Sequence, residues 1–292
     1  MLLIIMIFLN IFKSASYVNN YLLRNIKPNA MRKNIHDKLN DNYKYLSYEK
    51  VKKIMHSEMN NIDIYGDNTH EKNIEHVFPQ YLFKLDTNKN MMKSDLHNLY
   101  LCNKKINTLR QNFKYVGHDD YIESGNDKLV DQQGNSLNTE DMFKKQGYMM
   151  LINKKSKKFI PTEYSRGMIS RSLAYFSIKY NYVEQLKDVI DIQTLIEWNL
   201  KDPVSNEEYH KNIITYKYQN NLNPFIIDSD LMIYAFSDMF ELTDEILEKK
   251  KVKILDPLYS INLLLDKNKK NEKEINLLQK RNDRIKKNNL NK

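Results

Sequence analysis

NIEHVFPQYLFKLDTNKNMMKSDLHNLYLCNKKINTLRQN, residues 73–112, is the stretch whose reading decides the fold. Residues 73–83 and 96–102 are short apolar runs of strand length. Residues 104–112 are polar and read as a helix. The order is therefore strand, loop, strand, helix. Glu75-His76 sits on the first strand, Asp95-Leu96-His97-Asn98 opens the second, and Asn107 and Arg110 lie on the helix.

These residue types match the needs of phosphodiester hydrolysis. Such a reaction needs a base for water, a divalent cation at the phosphate, and donors for the flanking phosphates. His76 is the candidate base, because an unperturbed imidazole is mostly neutral near pH 7. Glu75 and Asn107 offer hard oxygens, which suit Mg²⁺ and let it keep several waters. His97, Asn98 and Asp95 are candidates to orient the base or its backbone. Arg110 is one helical turn from Asn107 and is a candidate to face the same phosphate. One constraint is geometric: neighbouring residues of a regular strand point to opposite faces. Glu75 and His76 share a site only at a strand end or bulge, and Pro79 is consistent with a short or irregular strand.

A zinc-protease reading fails on spacing. His70-Glu71 begins that motif, but position 74 is Ile where a second His is required. Cys102 is the one cysteine, which excludes an intramolecular disulfide and any cysteine-built metal cluster.

Outside this stretch the periodicities predict helices. Tyr48, Val51, Met55 and Met59 share one face. Ile169, Leu173, Phe176 and Tyr180 do so over 168–183. Further helices are predicted over 190–200, ended by Asp202-Pro203, over 207–218 and over 231–247. Residues 117–138, rich in Asp, Gly and Asn, read as loop.

The formal net charge is +9, but residues 267–292 hold ten Lys/Arg against three Asp/Glu, so the rest is close to neutral. Residues 251–292 are expected to form a basic tail, helical or disordered, that strengthens nucleic-acid binding without sequence preference. Leu2 to Phe12 is apolar and too short to span a bilayer. With Ser14-Ala15-Ser16 it reads as a signal peptide over 1–16, which implies a secreted or lumenal protein. Residues 17–250 remain as the main domain.

Several segments resemble the endonuclease I family of bacterial nucleases. Asn73-Ile74-Glu75-His76-Val77-Phe78-Pro79 is similar to its N-x-E-H-x-(W/F)-P segment. Lys93-Ser94-Asp95-Leu96-His97-Asn98-Leu99 is similar to K-S-D-L-H-(H/N)-L, and Asn107 to Asn112 to N-x-x-R-x-N. Pro161 to Arg171, Asp202-Pro203-Val204-Ser205 and Gln219 to Phe225 follow in the family's order. Departures are Tyr81 where Ser is common, Asn220 in place of a Gly, and Lys211 in place of an Arg. Between the Glu-His pair and the second strand only Lys84, Lys89 and Lys93 stand where some relatives carry an Arg.

The resemblance implies an α+β fold, a ββα-metal nuclease core with a mostly helical surround. It implies a metal-dependent, sequence-nonspecific endonuclease that cuts DNA, and RNA as a further substrate, leaving 5′-phosphate and 3′-hydroxyl ends. His76 would activate water. Glu75 and Asn107 would hold Mg²⁺, with Mn²⁺ or Ca²⁺ as substitutes. Lys93, Arg166 and Arg171 would bind phosphate, and Arg110, His97 and Asp95 would assist catalysis. A monomer without a membrane span is expected. The competing reading is an inactive nuclease fold that only binds nucleic acid.

Overall fold

The structure is a computed structural model and describes residues 27–60, 62–65, 71–117, 129–130, 136–137 and 150–241. The segment read as a signal peptide and the basic tail lie outside these residues, as does most of the loop predicted over 117–138. The described residues up to Phe240 belong to one compact unit. Its elements are α1 (Pro28–Asn40), α2 (Tyr48–Glu58), β1 (Lys72–His76), α3 (Lys89–Lys93), β2 (Leu99–Asn103) and α4 (Lys104–Arg110). They continue with β3 (Lys114–Tyr115), β4 (Leu129–Val130), β5 (Ser136–Leu137), β6 (Leu151–Asn153) and β7 (Lys158–Ile160). Then come α5 (Glu163–Lys179), α6 (Ile192–Lys201), α7 (Asn206–Gln219), α8 (Pro224–Ile227) and α9 (Leu231–Ala235). The fold is α+β.

β1 and β2 pair antiparallel, with Glu75 opposite Tyr100 and His76 opposite Leu99. The helix α4 follows β2 at once, because the Asn103 side chain accepts from the Lys105 and Ile106 amides and caps it. α4 then packs on both strands, giving the strand–loop–strand–helix unit. Both strands are shorter than their apolar runs. The reason lies in Asn98, whose Oδ1 accepts from the Phe78 amide at 2.7 Å and whose Nδ2 donates to the Phe78 carbonyl at 3.2 Å. The backbone makes one more bond, from the Val77 amide to the Asn98 carbonyl at 3.0 Å, and the Asn98 side chain then takes the place of further rungs. Residues 80–83 and 96–98 become 3₁₀ turns.

α5 is the central helix. Nearly its whole length is buried, and it packs against α6, α1, α8 and the Leu96–Asn98 turn. It begins five residues before the predicted position and stops at Lys179, because Asn181 turns the chain with φ 59°. Phe176 on α5 stacks on Phe78 at 4.6 Å, and Ser172 Oγ donates to the His97 carbonyl at 2.7 Å. The strand ends are thereby fixed to the core. Gly167 permits the closest approach in this layer: a Cβ there would lie 2.4 Å from the Asp202 carbonyl oxygen. Its amide donates to the Asp202 carboxylate at 2.7 Å.

A second sheet runs β3-β7-β6-β4-β5, with β3 parallel to β7 and the other pairs antiparallel. Its strands of two or three residues are too short to show a period in the sequence. Asn220 ends α7 in the left-handed region at φ 59°, a conformation that asparagine tolerates. The helix predicted over 231–247 ends at Ala235 among the described residues. There Arg32 of α1 donates to the Ala235 carbonyl and pairs with Asp238, both at 2.6 Å, and takes over the end of the helix. No helix among the described residues is long and apolar enough to cross a membrane.

Candidate active site

β1 ends at His76, and the chain bends at once through Val77 and Phe78, both fully buried. The strand end resolves the constraint on adjacent side chains. Glu75 and His76 line one cavity of about 530 Å³, together with Tyr48, Gln80, Asn107 and Arg110.

The tautomer of His76 follows from its neighbours. Nε2 lies 3.0 Å from the Lys93 carbonyl oxygen, which can only accept, so Nε2 carries the proton. Nδ1 then presents the lone pair, and the Gln80 amide nitrogen donates to it at 3.1 Å. Burial holds the imidazole neutral, with its pKa lowered to about 4; the Lys93 carbonyl opposes this, and the Lys93 and Arg110 charges add to it. At neutral pH the ring is unprotonated at Nδ1 and able to take a proton.

Glu75 is buried and pairs with Arg110 at 2.6 Å. Burial pushes its carboxyl up to about 7, against the pull of the Arg110 guanidinium. Arg110 also donates to the Gln111 carbonyl at 3.1 Å and sits 4.5 Å from the Tyr115 ring centre. Its guanidinium therefore belongs as much to the strand end as to the cavity. Gln111, which caps α4, takes φ 53° and ψ −119°, an unfavourable conformation for a residue with a side chain. The Asn107 amide nitrogen donates to the Ile74 carbonyl at 3.1 Å, so the oxygen is the atom left for a ligand.

A divalent cation fits this donor set. Among the described residues no cluster of three or more His, Cys, Asp or Glu is placed to hold a metal. One carboxylate and one amide oxygen on a common cavity still suit a hard ion that keeps most of its water. The Glu75 carboxylate is paired to the buried Arg110 guanidinium, which offsets part of the cost of its burial.

The other residues singled out in the sequence divide sharply. Lys93 reaches the site in two ways, through its carbonyl on His76 and through Nζ, 4.5 Å from the Tyr48 ring centre. Asp95 is not an orienting partner of His76. It is fully buried, accepts from the Tyr175 and Tyr180 hydroxyls, and pairs with Lys179 at 2.8 Å. Its other oxygen accepts from the His97 amide and caps the following turn. His97 is equally removed: Nε2 donates to the Asn221 carbonyl at 3.2 Å and the ring packs 4.4 Å from Tyr175. Arg171 is buried and bidentate on Glu208, at 2.7 and 2.6 Å, and donates further to Asn199 and to the Asp202 carbonyl. Four of its five N–H donors are thus used within the fold, and the side chain is fully buried. Arg166 donates to the Pro161 carbonyl and pairs with Glu163 at the start of α5. Neither arginine lines the cavity.

Two residues at the site carried no role in the sequence reading. Gln80 follows Pro79 and reaches back four residues to His76, a return that the proline turn makes possible. Tyr48 reads as one member of an apolar helix face, yet its ring is half-buried and lies 5.9 Å from that of His76.

Residues 20–230 match the family model described as Endonuclease I. Among curated proteins the chain is similar to "Extracellular ribonuclease" of Bacillus subtilis (strain 168), 24% identical over 213 residues, 68% of this chain and 63% of that protein. It is also similar to "Endonuclease-1" of Buchnera aphidicola subsp. Baizongia pistaciae (strain Bp), 30% identical over 141 residues, 48% of this chain and 49% of that protein. The chain thus spans less than two thirds of the length of either relative.

Proposed function

The chain belongs to the endonuclease I family, and from that premise we propose that it is a metal-dependent, sequence-nonspecific endonuclease acting on DNA and RNA. The observation that carries the reading is the fixed tautomer of His76. The Lys93 carbonyl holds the proton on Nε2, and the Nδ1 lone pair shares a cavity with the oxygens of Glu75 and Asn107. Nδ1 takes the proton of the attacking water. Glu75 and Asn107 hold the cation. When bound, Mg²⁺ supplies charge neutralisation at the phosphate and the leaving oxygen. Arg110 favours the ionised form of Glu75 against its burial and steadies the strand end. Lys93, whose ammonium lies beside Tyr48 of the cavity wall, would meet a flanking phosphate.

The names of the two relatives support RNA and DNA as substrates, and the word "Extracellular" in one, together with the apolar segment at 2–12, supports export. The test is incubation of the purified full chain with plasmid DNA and with a structured RNA, with Mg²⁺ and with EDTA. Cleavage in Mg²⁺ alone, giving products that accept a 5′ label only after phosphatase treatment, is expected. Intact substrate under Mg²⁺, Mn²⁺ and Ca²⁺ would overturn the reading.

A further inference from the structure

We infer that Gln80 positions the attacking water; the inference rests on His76 as the base. His76 Nε2 is committed to the Lys93 carbonyl, so a water's proton has one destination, Nδ1. That lone pair is filled by the Gln80 amide N–H at 3.1 Å. Gln80 itself is exposed, at the first position of the turn Gln80–Phe83, while His76 is buried. A side chain on the solvent side of a buried base can yield its place to one water and stay within a hydrogen bond of it.

The stereochemistry of attack calls for such a neighbour. A water that gives one proton to Nδ1 must direct a lone pair at phosphorus. Its second proton then needs an acceptor, or the molecule tumbles. Lys93 and Arg110 only donate, and Glu75, whose Oε1 is held by Arg110, is with Asn107 given to the cation. Gln80 Oε1 supplies the acceptor from the residue already in contact with Nδ1. In the step itself the water oxygen forms the new bond to phosphorus while the bond to the 3′ oxygen breaks. The first water proton passes to Nδ1, the second stays on the oxygen and on Gln80, and the departing 3′ oxygen takes a proton from solvent. An amide that orients water for attack on phosphorus is a known solution in nucleotide hydrolysis.

The test is steady-state cleavage of a labelled oligonucleotide by the full chain in Mg²⁺. Gln80→Ala and Gln80→Met should lower kcat by about 10- to 100-fold with KM changed by less than about 2-fold. Gln80→Glu, which keeps an oxygen acceptor at the same length, should recover most of that loss. In a His76→Ala background, Gln80→Ala should cost nothing further. Wild-type kcat in Gln80→Met, or an equal loss in both backgrounds, overturns the role while leaving the nuclease standing. A wild-type chain that cuts nothing removes the nuclease reading, and the role of Gln80 with it.

Discussion

The end of β1 and the charged layer beneath α5 are built from the same residue types and are used in opposite ways. At the strand end, Glu75, His76, Asn107 and Gln80 border a cavity; the Asn107 oxygen is left to an incoming group, and His76 Nδ1 is met only by the exposed side chain of Gln80. Beneath α5, Asp95 accepts from four donors, and Arg171 with Glu208 forms a bidentate pair that also closes the capping box of α7. A charged group whose hydrogen-bonding capacity is filled by the protein is architecture. A group held on one side alone is available for chemistry. Spacing in the sequence does not show which is which.

The largest effects should separate the two regions cleanly. His76→Ala removes the base and should lower kcat by about 100- to 10,000-fold, the usual contribution of a general base. Its folding stability should change by less than about 1 kcal/mol, since the bonds lost are one to a backbone carbonyl and one to an exposed side chain. Arg171→Met should do the reverse. It leaves the Glu208 carboxylate buried without its counter-charge, which costs about 3–5 kcal/mol, read from the denaturation midpoint. Arg171→Met combined with Glu208→Leu should restore most of that stability, because a buried ion pair and an apolar pair of similar volume are often close in stability. If Arg171→Met folded with wild-type stability and lost cleavage, Arg171 would belong with the strand end and the distinction would fail.

How much of this was legible in the sequence follows from the same distinction. The strand–loop–strand–helix order was readable, because apolar runs and a polar helix make local patterns. So were the central helix α5 and the bend at Asp202-Pro203. The lengths of β1 and β2 were not, because Asn98 ends the ladder through a side chain placed twenty residues from Phe78. The short second sheet has no period to read. In the site, Glu75, His76 and Asn107 were identified by type and order and do share a cavity. Asp95, His97 and Arg171 were given roles by the same reasoning, and the structure removes them from the cavity, since their partners Lys179, Asn221 and Glu208 lie 84, 124 and 37 residues away. Gln80 carries its signal in the Pro79 turn, which shows only once His76 is known to end the strand.

Histidine allows the finest cut between the regions, because His76 and His97 are matched in all but location. Both are buried and both have lowered pKa values, about 4 and about 3, with desolvation as the main cause. In the unfolded chain each titrates near about 6.5. Between that value and the native one, the unfolded chain binds a proton that the native state refuses. Acidification through this window therefore destabilises the fold, by about 1.4 kcal/mol per pH unit for each group. Glu75 works against this trend, since a raised carboxyl binds its proton first in the native state, so the measurement has to be a difference between variants. From pH 7.5 to pH 5, His97→Gln and His76→Gln should each lose on the order of 2 kcal/mol less stability than the parent chain. Their cleavage activities should part company: His97→Gln keeps activity at neutral pH, and His76→Gln loses it. Equal loss of activity in both variants, with His97→Gln still folded, would place the Asp95–His97 segment in the reaction after all.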